Sequence, residues 1–204
     1  MSNQNPSIAV IINSNHSKAL PLSQPSFLCS QTCQDFEVIF LIDSKNISGH
    51  YPTPEGKIKY QKIQKNLINS INQATSNSSA DYFLYLDHNI SLHPDYLAKT
   101  LYCLKNQKHL AFCYTGYCQI SKNIISKIPS KYNFYDFTQK NLAPPLALIN
   151  KNLFNFFNGL DTDIENRHSF AAIIIRFGLQ HLYSYLIQES LYDVIKKNNA
   201  SNSN

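Results

Sequence analysis

The sequence predicts an α/β sandwich around a central, mostly parallel sheet. Five short runs carry this: "IAVII" (8–12), "EVIFLI" (37–42), "YFLYL" (82–86), "LAFCYT" (110–115) and "PLALIN" (145–150). They are rich in β-branched and aromatic residues, and several are continuous rather than alternating, which suits strands covered on both faces. Helical stripes fall between them, giving the order β-α-β-α-β-α-β. The residues just after the first three strands are polar, and in open α/β sheets ligands sit beyond the carboxyl ends of the strands.

Taken in order, the first run is followed by "NSNH" and then by a short helix. Pro21 and Pro25 constrain that helix to begin near Ser23 as cap, with Pro25 inside the first turn, where its missing N–H is not needed. Tyr60, Ile63, Leu67, Ile71 and Ala74 step by three and four and predict one long helix, on which "KIKYQKIQK" is a wetted face. Leu97, Leu101 and Leu104 form a second stripe behind Pro94, placed at a first helical position. The stretch 130–145 lacks periodicity and reads as a loop. "ENRHSFAAIIIRFG" reads as a helix closed by Gly178 after its C-cap. One domain is expected over 1–196, with a polar disordered tail at 197–204.

The chain has 204 residues and a formal charge of +5, but all of its 18 basic residues except Arg167 and Arg176 are lysines. That is poor material for bidentate phosphate or base recognition, so nucleic acid is not an expected partner. The 5 cysteines lack paired C-x-x-C spacing and follow no secretory leader, so reduced thiols in a cytoplasmic protein are expected. Cys29 and Cys33, one turn apart on the first helix, read as small buried residues. The longest apolar run, "FAAIII" at 170–175, is far below the roughly 20 residues of a membrane span. Five N-x-S/T matches are coincidences of an Asn- and Ser-rich composition.

Four segments, in matching order over about residues 6–180, resemble the family 2 glycosyltransferases of the GT-A fold. "PSIAVIINSNH" is similar to the family's "P-x-V-S-V-I-I-P-T-Y-N", and "SFLCSQTCQDFEVIFLID" to "S-L-L-x-Q-T-x-x-x-x-E-I-I-V-V-D-D". "SADYFLYLDHNISLHPDYL" is similar to the segment holding the D-x-D motif. "FNGLDTDIENRHSFAAIIIRFG" is similar to "V-G-G-F-D-E" and the following "E-D" helix. The resemblance implies a Rossmann-related α/β/α sandwich and transfer of a sugar from a nucleotide-sugar donor, a UDP-sugar first, to an acceptor hydroxyl. It implies that Asp43 contacts the base and that Asn13, Ser14 and Asn15 lie near it. It also implies that Asp87 meets the ribose and, with Asn89 and the intervening His88, a weakly held Mn²⁺ or Mg²⁺. The catalytic base would come from Asp161, Glu165 or His168, and the sequence leaves that choice open.

The chain departs from the pattern at defined places. Ile42 stands where the first acid of "D-D" would be, Asn89 replaces the last acid of D-x-D, and "E-D" falls on Asn166 and Arg167 in an ungapped alignment. A one-residue shift brings Glu165 into that place. The charge facing a cation falls by one relative to an all-acid motif, so metal affinity should be weaker. With no Trp, the "Q-x-x-R-W" signature of processive synthases is missing. The first turn has no glycine, which argues against a dinucleotide-binding Rossmann site. A non-catalytic GT-A domain, serving as a nucleotide-sugar sensor or a protein-interaction module, is the competing expectation.

Overall fold

The computed structural model describes residues 5–13, 26–42, 58–63, 66–87, 89–120, 125–127, 146–164 and 166–195. The expected loop at 130–145 and the tail at 197–204 lie outside them. The first four strands of the sheet are β1 (Ile8–Asn13), β2 (Phe36–Ile42), β3 (Ile58–Lys62) and β4 (Tyr82–Leu86). They form a parallel block in the order β3-β2-β1-β4. Beyond β4 the sheet continues through β8 (Ala147–Asn150), antiparallel to both β4 and β6 (Leu110–Ile120). Next comes β9 (Tyr183–Ile195), parallel to β6, and then β5 (Ile90–Leu92), antiparallel to β9. β7 (Ile125–Lys127) pairs with the end of β6.

Every residue of β1 and β2 is buried. Successive side chains point to opposite faces, so these continuous apolar runs feed two cores. Ile8, Val10 and Ile12 join Phe27 and Leu28 of α1 (Ser26–Cys29) and Leu97, Leu101 and Leu104 of α3 (Tyr96–Asn106). On the opposite face Ala9 and Ile11 join Ile68, Ile71 and Ala74 of α2 (Leu67–Asn77). The same core takes Phe154 of α4 (Lys151–Phe156) and Ile173, Ile174 and Phe177 of α5 (Asn166–Leu179). Helices on both faces of one sheet make the expected α/β sandwich.

The structure corrects several local expectations. "KIKYQKIQK" does not begin a helix: Ile58–Lys62 is strand β3 at the sheet edge, and Tyr60 stacks on Phe40 of β2 with ring centroids 5.7 Å apart. The helix starts only at Leu67, because the Asn66 side chain accepts the Asn69 N–H at 2.7 Å and caps it there. Pro94 is not the first helical residue but lies one residue before the N-cap of α3, Asp95. α1 ends at Cys29, which is exposed, so Cys29 and Cys33 do not share a helix; the chain leaves helical geometry to place Gln31. Gln31 is buried, donates to the carbonyls of Phe27 and His93, and accepts the Leu97 N–H at 3.2 Å. It thereby fastens α1 to the first turn of α3. Gly178 sits inside α5, and the left-handed residue that turns the chain is His181 at φ 55°. Finally, β5, β7 and β9 fall in stretches whose short length or polar interruptions hide the strand period.

Candidate functional site

The carboxyl ends of β1 and β4 lie side by side, because the two strands pair in parallel with Ile12 opposite Leu86. Asn13, the last residue of β1, and Asp87, the first after β4, are therefore level. Asn13 is buried, and its side chain is hydrogen bonded to Tyr85. The Tyr85 phenol is pushed well above its ordinary range, first by burial and second by the nearby Asp87 carboxylate, with the Asn13 hydrogen bond acting in the opposite sense. Tyr85 thus stays a neutral donor or acceptor beside a carboxylate at every physiological pH.

α5 closes this end of the sheet. Phe170 stacks on Tyr85 with centroids 5.3 Å apart and planes 21° apart, so the helix that carries His168 passes over the β4 end. Its entry is held by Ser169, whose hydroxyl donates to the carbonyls of Asp161 and Ile164, both at 3.2 Å. Asp161 is bound to Arg176 at 2.9 Å and also accepts the Asp163 N–H. Its carboxylate braces the loop against α5. After β4 the chain turns at once: Ile90 donates to the Asp87 carbonyl at 3.2 Å, and the Asn89 carbonyl accepts the Ile195 N–H at 2.8 Å. The end of β9 thereby meets the 87–89 turn.

Of the residues singled out by sequence, the structure brings Asn13 and Asp87 together through Tyr85 and places His168 on the helix that covers them. Asn89 follows in the same turn, and Asp161 lies at the foot of that helix. Ser14, Asn15, Asp43, His88 and Glu165 lie outside the described residues. Tyr85 and Phe170 were not singled out: Tyr85 is one of three aromatics in "YFLYL", and Phe170 within "FAAIII" reads only as core. Among the described residues no group of three His, Cys, Asp or Glu side chains could hold a metal. The described donors at this turn are one carboxylate and one neutral amide. That set suits a hard cation which keeps waters and takes further ligands from phosphates, and does not suit an all-protein cage. No helix among the described residues is long and apolar enough to cross a membrane.

No protein-family model matches the sequence, and no curated protein matches it. Solved structures match the fold. Residues 1–349 of S. aureus TarS share 10% identity with this chain at a TM-score of 0.67, covering 93% of it and 60% of the TarS chain. The same protein has been solved with UDP-GlcNAc, and that structure matches at 11% identity and TM-score 0.67, covering 94% and 59%. The mannosyltransferase PcManGT from Pyrobaculum calidifontis, solved with GDP-Man and Mn²⁺, matches at 11% identity and TM-score 0.65, covering 97% and 59%. The chain spans about six-tenths of the length of these solved chains. At such identities the likeness is one of fold, and the fold is that of the GT-A-type glycosyltransferases.

Proposed function

We propose that this chain is a glycosyltransferase that moves a sugar from a nucleotide-activated donor, a UDP-sugar, to an acceptor hydroxyl. The observation that carries the reading is the convergence of Asn13, Tyr85 and Asp87 at the carboxyl end of the sheet under α5, where a GT-A fold receives its donor. Asp43, with Asn13, Ser14 and Asn15, recognises the base, and Asp87 the ribose. A divalent cation, Mn²⁺ or Mg²⁺, held by Asp87 with Asn89 and His88, would supply charge that neutralises the leaving diphosphate. The chain's own groups do the rest: a base on the α5 side takes the acceptor hydroxyl proton as the new glycosidic bond forms and the bond to the diphosphate breaks, inverting the anomeric centre. The ionic hold of Arg176 on Asp161 favours Glu165 or His168 for that base and gives Asp161 a positioning role.

Calorimetric titration with UDP and GDP, with and without Mn²⁺, tests the donor site. Asp43→Ala is expected to weaken UDP binding by about 1.5–3 kcal/mol, the value of a hydrogen bond to a charged group. Unchanged affinity would place the base elsewhere. Asn89→Asp should strengthen the Mn²⁺ dependence, read as a larger ligand-induced rise in melting temperature. The free protein should melt slightly earlier, because two carboxylates repel when no cation lies between them. A flat Mn²⁺ response in both Asn89→Asp and Asp87→Ala would remove the metal from the proposal. Glu165→Gln or His168→Ala should lower turnover by roughly 10²–10⁴-fold with donor affinity unchanged, as for loss of general-base catalysis.

One observation favours a second reading. Among the described residues the β4 turn offers a single carboxylate and Asp161 is already engaged, which suits a GT-A domain that binds a nucleotide-sugar, or a protein partner, without transferring anything. UDP binding with no transfer or donor hydrolysis across the common nucleotide-sugars would select it.

A further inference from the structure

The two margins of the sheet are built differently. At one end β3 carries Lys59 and Lys62, charges that commonly guard an edge strand against pairing with another chain. At the other end β5 covers β9 only at Tyr192–Val194. Over Tyr183–Ile187, β9 pairs with β6 on one side, and among the described residues no strand lies on the other. This stretch, "YSYLI", has no charge and no proline. It ends where Gln188 and Glu189 bulge out of register with β6, Glu189 being tied to Lys99 of α3 at 2.5 Å.

Side-chain directions follow from the register. Tyr185 is the partner of Cys113, which belongs to the core under α3, so Tyr183, Tyr185 and Ile187 share the α3 face. α3 does not cover them. Tyr183 is 65% exposed and Tyr185 43%, and between them and Tyr102 and Cys103 of α3 runs an open groove of about 980 Å³.

We propose that this edge pairs antiparallel with the same edge of a second copy of the chain, joining two sheets across a two-fold axis at Tyr185. The usable segment is centred on that residue, so the register sets Tyr185 opposite Tyr185, Tyr183 opposite Ile187, and Ser184 opposite Leu186. On the groove face every cross-strand pair is aromatic–aromatic or aromatic–β-branched, the combinations that stabilise antiparallel pairs. No like charges meet, because the nearest charge, Glu189, already has its lysine. A two-fold axis requires one self-complementary patch, and this segment supplies one.

Sedimentation equilibrium of the full chain, across roughly 1–100 µM, should resolve a monomer–dimer equilibrium. Hydrogen exchange should show Tyr183–Ile187 gaining protection as concentration rises, while Ile58–Lys62 does not change. Tyr185→Lys places two ammonium groups opposite each other at the axis and should weaken the dimer on the order of tenfold or more. Tyr60→Lys, at the guarded edge, should leave it intact. A monomer throughout that range, a dimer indifferent to Tyr185→Lys, or protection appearing at Ile58–Lys62 instead would overturn the proposal; the first outcome would leave the β9 edge to a strand from another protein or from elsewhere in this chain.

Discussion

Phe177→Ala is expected to lower the unfolding free energy by about 3–5 kcal/mol, the cost of truncating a fully buried phenylalanine. Phe177 has no solvent exposure, and its ring meets Phe112 of β6 at 6.3 Å and Phe157 after α4 at 5.7 Å. It joins α5 to both the sheet and α4, and the cavity left behind would have walls on three elements that cannot all move inward. Urea unfolding checks this through a lower midpoint at an unchanged slope. Phe156→Ala, at a ring 77% exposed, is the control and should stay within about 0.5 kcal/mol. Because α5 also lays Phe170 over Tyr85, Phe177→Ala should loosen the β4 end even at temperatures where the chain remains folded.

Gly159→Ala is expected to cost about 2–4 kcal/mol, from two sources that add. Gly159 has φ +68°, a left-handed conformation that costs a residue with a side chain roughly 1–2 kcal/mol. A Cβ there would also lie 2.7 Å from the Asn72 side-chain oxygen. That amide makes two bonds to Leu160, accepting its N–H at 2.9 Å and donating to its carbonyl at 2.8 Å. Displacing it forfeits up to two hydrogen bonds, each of about 0.5–1.5 kcal/mol. The clamp fixes the loop between α4 and α5 to α2, so thermal unfolding should show the loss. Asn72→Ala alone should reproduce only the hydrogen-bond part of it.

How far an element can be read in the sequence depends on how many of its faces are buried. The parallel block was legible because a strand buried on both faces must be apolar at every position, and "IAVIIN" and "FEVIFLI" are nearly that. The edge strand β3 was not. An edge needs only one apolar face and tolerates lysine, so Tyr60 and Ile63 fit a helical stripe although Asn66 caps α2 only beyond them. Likewise Gly178 looked like a helix stop although the turn falls on His181, since a histidine can adopt φ 55° when Phe177 and Gly178 supply the carbonyls that receive the turn's N–H groups. At the site, Asn13 and Asp87 were visible as polar strand ends. Their link through Tyr85 was not, because it depends on which face of β4 the phenol takes. The role of Arg176 was hidden as well, since its pairing with Asp161 spans a loop and most of a helix.

The place of β8 has a consequence for the order in which the molecule can assemble. β8 lies between β4 and β6, yet its residues follow both of them in the chain. During synthesis, a nascent chain that ends before Ala147 carries β1 to β4 in one block and β6 with β7 in another, and among the described residues no ladder joins them. The strand that welds these halves arrives last but one, bonding Tyr82–Leu84 on one side and Phe112–Tyr114 on the other. Until it emerges from the ribosome, the edge of β4 is open, and because its Phe83 and Leu84 become wholly buried in the finished protein, release before that point is expected to favour aggregation.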